Sequence, residues 1–217
     1  MSHGPLTDLF DDQRLDARLG PGTELLGGFA LAVEEPLLEA LRSVVEQAAF
    51  RHMETPGGHR MSVAMTNCGA AGWVTDRSGY RYDARDPESN RPWPPMPAAF
   101  RDLAVRAASR AGYADFAPDA CLINRYAPGA RMSLHQDRNE RDFTAPIVSV
   151  SLGLPATFLF GGTRRTDPPR RVPLLHGDVL VWGGSDRLHF HGVLPLSDGE
   201  HARLGGVRIN LTFRKAS

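Results

Sequence analysis

His135-Gln136-Asp137 sets an imidazole and a carboxylate two residues apart. On a β-strand, residues i and i+2 project from one face, about 6.5–7 Å apart along the chain. The two side chains can therefore converge on one metal ion. A third ligand from another strand would complete a set of two histidines and one carboxylate. That set leaves coordination positions open and suits non-haem Fe(II) oxygenases. The tripeptide alone is weak, because a buried histidine paired with an aspartate is the commoner use of this spacing. The chain carries the same pattern again at His176-Gly177-Asp178. There Gly177 and the following Val179-Leu180-Val181-Trp182 read as a tight turn entering a buried strand, with Asp178 bonding turn backbone. The third ligand stays open at this level. His189 and His191 share a strand face, His201 lies in a polar loop, and His3, His52 and His59 lie far upstream. Spacing does not rank His191 above His189.

The second chemical pattern is a terminal strand. Across 208–214, Arg208, Asn210, Thr212 and Arg214 alternate with Ile209, Leu211 and Phe213. Alone, such a strand reads equally well as half solvated. Beside a metal site, the arginine face fits a dicarboxylate clamp. Arg214 would grip one carboxylate with two parallel hydrogen bonds, and Arg208 would hold the metal-chelating end. Asn124 and Tyr126 share another strand face and add donors. An Fe(II) site with a dicarboxylate clamp is what a 2-oxoglutarate-dependent oxygenase requires.

These groups need elements to hold them. Apolar residues are 41% and charged residues 23% of 217, enough for one packed domain and against wholesale disorder. Gly (22) and Pro (17) exceed the usual share, which favours short strands joined by turns over a helical bundle. Strands are expected at 120–126, 131–137, 146–152, 156–160, 171–175, 178–182, 187–194 and 207–214, with Gly-rich turns between them. Apolar spacing predicts helices over 35–50, with Pro36 in the first turn, and over 97–111, closed by Gly112. Eight short strands with no helices between them suggest an antiparallel sandwich or jelly roll, the helices covering one sheet. Residues 1–22 read as a loose leader.

The formal charge is zero but unevenly placed: residues 1–50 hold nine acids and three bases, leaving 16 acids and 22 bases beyond. The basic remainder is compatible with an anionic partner such as nucleic acid, although charge alone favours an ordinary solvated surface. No apolar run is long enough to span a membrane, and the N-terminus lacks a signal-peptide pattern. Cys68 and Cys121 are too few for a secreted disulfide scaffold, so a reduced cytoplasm is expected.

Four stretches then carry a family likeness. PDACLINRYAPGARMSLHQD (118–137), APIVSVSLGLPATFLFGG (145–162), HGDVLVWGG (176–184) and RINLTFR (208–214) resemble the bacterial AlkB-type Fe(II)/2-oxoglutarate-dependent DNA repair dioxygenases. TPGGHRMSVAMTNCG (55–69) and GWVTDRSGYRYD (72–83) resemble the lid with which that family holds a nucleotide. The resemblance implies a mainly β, α+β fold: a double-stranded β-helix of the jelly-roll kind with two supporting helices and an N-terminal nucleotide-recognition lid. It implies one dioxygenase domain over 23–217, with the lid at about 50–95 and the core at about 119–214. It implies Fe(II), 2-oxoglutarate and O2, and His135, Asp137 and His191 as metal ligands. It assigns Leu122, Asn124, Tyr126, Arg208, Asn210 and Arg214 to the co-substrate. Trp73 would stack on a flipped methylated base with His135 on its other side. Thr55, Met61, Tyr80 and Arg165 would contact the substrate. The partner implied is alkylated DNA, single-stranded by preference, with RNA as the other candidate polymer, and a monomer acting on it. Arg51, Arg77, Arg81, Arg131, Arg138, Arg164 and Arg165 are candidates for phosphate contacts. One departure stands out: two residues after Asp137 the family pattern has an acid facing the exocyclic amine of the base, and here that position is Asn139. The neighbouring Glu140 is the candidate to replace it.

Overall fold

The computed structural model describes residues 14–217. Thirteen strands and two helices follow in chain order: β1 (Ala17–Gly20), β2 (Thr23–Leu26), α1 (Glu34–Gln47), β3 (Ala64–Gly69), β4 (Gly72–Asp76), β5 (Gly79–Asp83), α2 (Ala98–Arg110), β6 (Ala120–Tyr126), β7 (Met132–His135), β8 (Ile147–Gly153), β9 (Ala156–Phe160), β10 (Arg170–Leu174), β11 (Val179–Trp182), β12 (His191–Val193) and β13 (Arg208–Arg214). They form a seven-stranded sheet in the order β1-β2-β11-β8-β13-β6-β3, a four-stranded sheet in the order β10-β9-β12-β7, and the separate hairpin β4-β5. Every pairing is antiparallel.

Period-2 alternation in the large sheet sorts its residues between two layers. Ile209, Leu211 and Phe213 of β13, Cys121 and Ile123 of β6, and Val148 and Val150 of β8 pack against Leu37, Leu41 and Val44 of α1 and Phe100, Leu103 and Ala107 of α2. The opposite face looks across to Phe158, Phe160, Val172 and Val193 of the small sheet. Burying each large apolar side chain contributes about 1.5–3 kcal/mol, so these two layers hold the sandwich together. The helices sit where the apolar spacing put them. Acidic Glu34 and Glu35 occupy the first turn of α1, where the helix dipole favours them. Pro97 precedes α2, and Gly112 with φ of +92° closes it. Helix α1 stops three residues short of the expected end because Ala48 is already extended and its carbonyl accepts from Thr66 Oγ1 at 2.8 Å.

Two expectations change. The chain from 14 to 22 is built into the fold and is not a loose leader over that stretch; the rest of the expected leader, residues 1–13, lies outside the described residues. Strand β1 forms the edge of the large sheet, Arg14 Nη1 donates to the His176 carbonyl and to Asp178, and Asp16 accepts from Gly27 N. A polar edge strand carries little of the alternation that betrays a buried one. The strand expected over 187–194 shrinks to β12, because a 3-10 turn at Gly184–Asp186 precedes it. Asp186 ties that turn to the start of β2 by accepting from Thr23 Oγ1 at 2.7 Å and Gly22 N at 2.9 Å. The result sets His191 directly opposite His135 in the small sheet.

Candidate active site

Strand β7 ends at His135, so Asp137 is placed by the turn after the strand rather than by strand alternation. Pairing of β12 with β7 brings the His135 and His191 rings to 4.4 Å between centroids. His135 Nε2 lies 3.8 Å from Asp137 Oδ1, and His191 Nε2 lies 3.8 Å from Asp137 Oδ2. Among the described residues, this is the one group of three such side chains whose ligand atoms lie within 4.8 Å of one another. Among the described residues the other histidines stand outside this group, and His3 lies outside the described residues. His189 pairs with Asp186 at 3.8 Å and packs on Phe160. His176 Nδ1 accepts from Gly153 N, and Asp178 accepts from Leu175 N and Gly28 N, as expected of a turn.

The donor set fits a divalent metal. The Nδ1 atoms of His135 and His191 face the carbonyls of Ser133 and His189 at 2.9 and 3.0 Å. A carbonyl only accepts, so each Nδ1 carries the proton and each Nε2 presents a lone pair. Burial, reinforced by His135, pulls the His191 imidazole down to about 3, so it is neutral at working pH. Burial opposes charge on Asp137 too, but the Arg214 guanidinium beside it counters that and the carboxyl lies well below its usual range. A neutral His191 imidazole and an ionised Asp137 carboxylate are protonation states that metal ligation needs.

The cavity beside these ligands runs between the two sheets. It is lined by Leu122, Asn124, Tyr126, Asn210, Thr212 and Arg214 from the large sheet, and by Met132, Phe158, Gly192 and Val193 from the small one. All seven residues of β13 are buried, so its polar face is interior and not solvated. Arg214 Nε and Nη2 donate to Asp137 Oδ2 at 2.9 and 2.7 Å. Arg208 is 1% exposed and meets no carboxylate among the described residues. Its Nη2 donates to Ser151 Oγ at 3.0 Å, its Cζ lies 5.1 Å from the Tyr126 ring centre, and its Nε and Nη1 are unpartnered, as is Asn124 Oδ1. A buried guanidinium with idle donors is costly unless an anion completes it. Arg214 is thus engaged by Asp137, whereas Arg208 keeps idle donors.

The hairpin β4-β5 stands over this site. Cross-strand pairing puts Trp73 opposite Tyr82 and Thr75 opposite Tyr80, all on one face. Trp73 and Tyr80 stack at 5.7 Å and 24°. Asn67 of β3 holds the Trp73 backbone through two 3.0 Å bonds, and Val74 anchors the reverse face in the core. Gly72 must lack a Cβ, which would lie 2.4 Å from the Trp93 ring. Trp73 Nε1 donates to Asn139 Oδ1 at 3.2 Å, and Asn139 Nδ2 donates to the Tyr80 carbonyl at 3.4 Å. Glu140 does not take the place of the missing acid at 139. It is 5% exposed and turned inward, where it accepts from Tyr82 Oη at 2.6 Å and pairs with Arg187 at 3.2 Å. Burial, with the Glu140 charge adding to it, keeps the Tyr82 phenol protonated well above its ordinary range against the opposing pull of Arg214.

Other expected residues lie apart from the cavity. Thr55 closes a surface turn with Gly58 and His59, Met61 packs at the edge of the inter-sheet core, and Arg165 stands exposed over Phe190 at 5.7 Å. Of the arginines considered for phosphate, Arg51 is committed to Asp86 and Glu88, Arg81 to Asp76 and Arg164 to Asp167. Arg131, Arg138 and Arg165 are exposed. Sequence reasoning missed Ser149, Phe158 and Trp182 as cavity residues and Arg187 as a buried partner. Ser149 and Ser151 interrupting the apolar run of β8 were the available signal.

The comparisons with known proteins agree with this geometry. Residues 22–214 match the 2OG-Fe(II) oxygenase superfamily. The chain is 55% identical over 213 residues to "Alpha-ketoglutarate-dependent dioxygenase AlkB" of Salmonella typhimurium, covering 98% of this chain and 99% of that protein. It is 32% identical over 131 residues to human "Nucleic acid dioxygenase ALKBH1", covering 59% of this chain and 33% of that protein. The solved structure titled "The structure of OsALKBH1" superposes with a TM-score of 0.77 at 27% identity, covering 93% of this chain and all of that one. No helix among the described residues is long and apolar enough to cross a membrane. The chain belongs to the 2OG-Fe(II) oxygenase superfamily, and within it to the AlkB dioxygenases, enzymes that use Fe(II), 2-oxoglutarate and O2.

Proposed function

We propose that the enzyme removes methyl groups from ring nitrogens of damaged bases, N1-methyladenine and N3-methylcytosine, in single-stranded DNA, with RNA as the alternative polymer. The observation that carries this reading is the aromatic hairpin face, Trp73 stacked on Tyr80, fastened to Asn139 two residues after Asp137. A flat aromatic surface held beside a metal ligand suits a base swung out of its stack, and such stacking contributes about 1–3 kcal/mol per base. Swinging the base out costs least when damage has already broken its pairing, as N1 and N3 methylation do.

In this reading His135, Asp137 and His191 hold Fe(II). When bound, Fe(II) with 2-oxoglutarate and O2 supplies oxidation of the N-methyl C–H bond, releasing succinate and CO2. The hydroxymethyl product collapses to formaldehyde and the repaired base. The chain's own part is placement. Arg208, with Asn124 and Tyr126, completes the far carboxylate of 2-oxoglutarate, while Leu122 and Asn210 shape the pocket wall. Arg214 keeps Asp137 oriented. Trp73 and His135 flank the base, Tyr80 extends the stacking face, and Thr55, Met61 and Arg165 border the strand's path. The inter-sheet cavity, lined largely by buried side chains, limits bulk water at the oxidation. In this reading the enzyme works as a monomer in the cytoplasm, and buried, free Cys68 and Cys121 suit a reducing compartment.

The test is mass spectrometry on a single-stranded oligonucleotide carrying one N1-methyladenine, with Fe(II), ascorbate and O2. Loss of the methyl mass is expected only with 2-oxoglutarate present. An unchanged oligonucleotide with succinate still formed would place the substrate elsewhere.

Asn139 gives the reading a second handle. Its carbonyl accepts a hydrogen bond but carries no charge, so the site attracts cationic bases less than a carboxylate would. Asn139→Asp should raise kcat/KM for cationic N1-methyladenine over a neutral etheno adduct by about fivefold, the effect of roughly 1 kcal/mol between charges near a protein surface. Competition between the two oligonucleotides measures the ratio, and an unchanged ratio would remove Asn139 from the base contacts.

A further inference from the structure

Glu140 joins two parts of the site that the backbone keeps in separate sheets. Its Oε1 accepts from Tyr82 of the hairpin at 2.6 Å and lies 3.5 Å from Arg214 Nε. Its Oε2 lies 3.2 Å from Arg187 Nη2. Those two arginines are the groups that hold Asp137. Arg214 grips the Asp137 side chain through Nε and Nη2, and Arg187 Nη1 donates to the Asp137 backbone carbonyl at 3.0 Å. Arg187 is further fixed by donating from Nε to the Ala145 carbonyl at 3.1 Å. Glu140, Arg187, Arg214 and Asp137 are all buried. One carboxylate therefore sets both guanidiniums around the metal ligand, and one phenol ties that carboxylate to the hairpin. Tyr82 is the cross-strand partner of Trp73, so whatever orders the aromatic face orders Tyr82 with it.

We propose that Glu140 is a positioning residue that links the β4-β5 hairpin to Asp137, so that nucleotide binding and metal binding strengthen one another. The proposal rests on the hairpin being the nucleotide-holding element. Separation of the two hydrogen-bonding ends gives it distinct signatures. Tyr82→Phe unties the hairpin from Glu140, leaving its bonds to Asn139, while the Glu140 pairs with Arg187 and Arg214 remain. Glu140→Gln keeps the shape but turns an amide toward arginines, which loosens the support of Asp137 itself.

The experiment titrates Co(II) into the full-length, metal-free protein, followed by its visible absorption, with and without a single-stranded oligonucleotide carrying N1-methyladenine. In the wild type the oligonucleotide should tighten Co(II) binding about fivefold, and Co(II) should tighten oligonucleotide binding by the same factor, because coupling is reciprocal. Tyr82→Phe should bind Co(II) alone within about twofold of wild type and lose the coupling, while Glu140→Gln should bind Co(II) alone about tenfold more weakly, a usual effect of removing a group that orients a metal ligand. An oligonucleotide that binds the wild type but leaves Co(II) affinity unchanged overturns this inference alone. So does coupling that survives Tyr82→Phe in full. An oligonucleotide that does not bind the wild type at all overturns the nucleotide reading, and this inference with it.

Discussion

His191→Ala abolishes turnover and weakens Fe(II) binding by at least about 100-fold, beyond the usual effect of losing a group that merely supports a ligand, while His189→Ala keeps the metal. The two residues are two positions apart, and only the fold separates them. His191 Nε2 faces Asp137 at 3.8 Å with Nδ1 committed to a carbonyl. His189 instead points to Asp186, which already accepts from Thr23 and fixes the turn leading into β12. Metal affinity by competition with a chromophoric chelator, read together with succinate formation, checks both variants. Asp137→Ala removes turnover too, but it is the poorer test. It strands Arg214 without its carboxylate partner, and breaking a buried pair costs about 3–5 kcal/mol of stability. Retention of Fe(II) by His191→Ala, with loss in His189→Ala, would exchange the two assignments.

That pair of histidines marks where the sequence stops being legible. Alternation in 208–214 placed Arg208, Asn210, Thr212 and Arg214 on one face, and they do share one. What alternation does not reveal is which face is wet. A polar row on a terminal strand looks solvated until a second sheet is known to lie over it. Likewise His135-x-Asp137 announced a metal pair, but the carboxylate is aimed by Arg214 and Arg187, which stand 77 and 50 residues away in the chain. Local pattern gave the two helices and the strands from 120 onward to within a few residues, because turn glycines and apolar period are local quantities; β1 to β5 it did not delimit. The register of β12 against β7 is not local. It depends on the turn at Gly184–Asp186, whose Asp186 is held by Thr23 and Gly22 at the far end of the chain. Glu140 was misjudged for the same reason: adjacent in sequence to Asn139, it faces the opposite way, into arginines no short motif names.

Arg208→Met raises the KM for 2-oxoglutarate by about 30- to 1,000-fold, the effect of the roughly 2–4 kcal/mol carried by a buried, hydrogen-bonded charge pair. The same substitution leaves the melting temperature of the ligand-free protein unchanged or higher. The two expectations pull apart because of what Arg208 lacks. In the free protein its guanidinium is buried against Tyr126 and Ser151 with Nε and Nη1 unpartnered, and burial pulls down the proton affinity of the guanidinium itself. Such a group destabilises the fold until an anion arrives, so an uncharged side chain of similar length relieves the free state. Methionine keeps most of the packing volume and adds no donor. Arg214 supplies the contrast. It is engaged by Asp137 in the free protein, so Arg214→Met should lower the melting temperature. Scanning calorimetry of the two variants with and without 2-oxoglutarate separates the roles. Wild type should gain stability with co-substrate according to ligand linkage, and Arg208→Met should lose most of that gain. A fall in the melting temperature of ligand-free Arg208→Met, with its KM unmoved, would make Arg208 a structural residue and leave the clamp without its outer half.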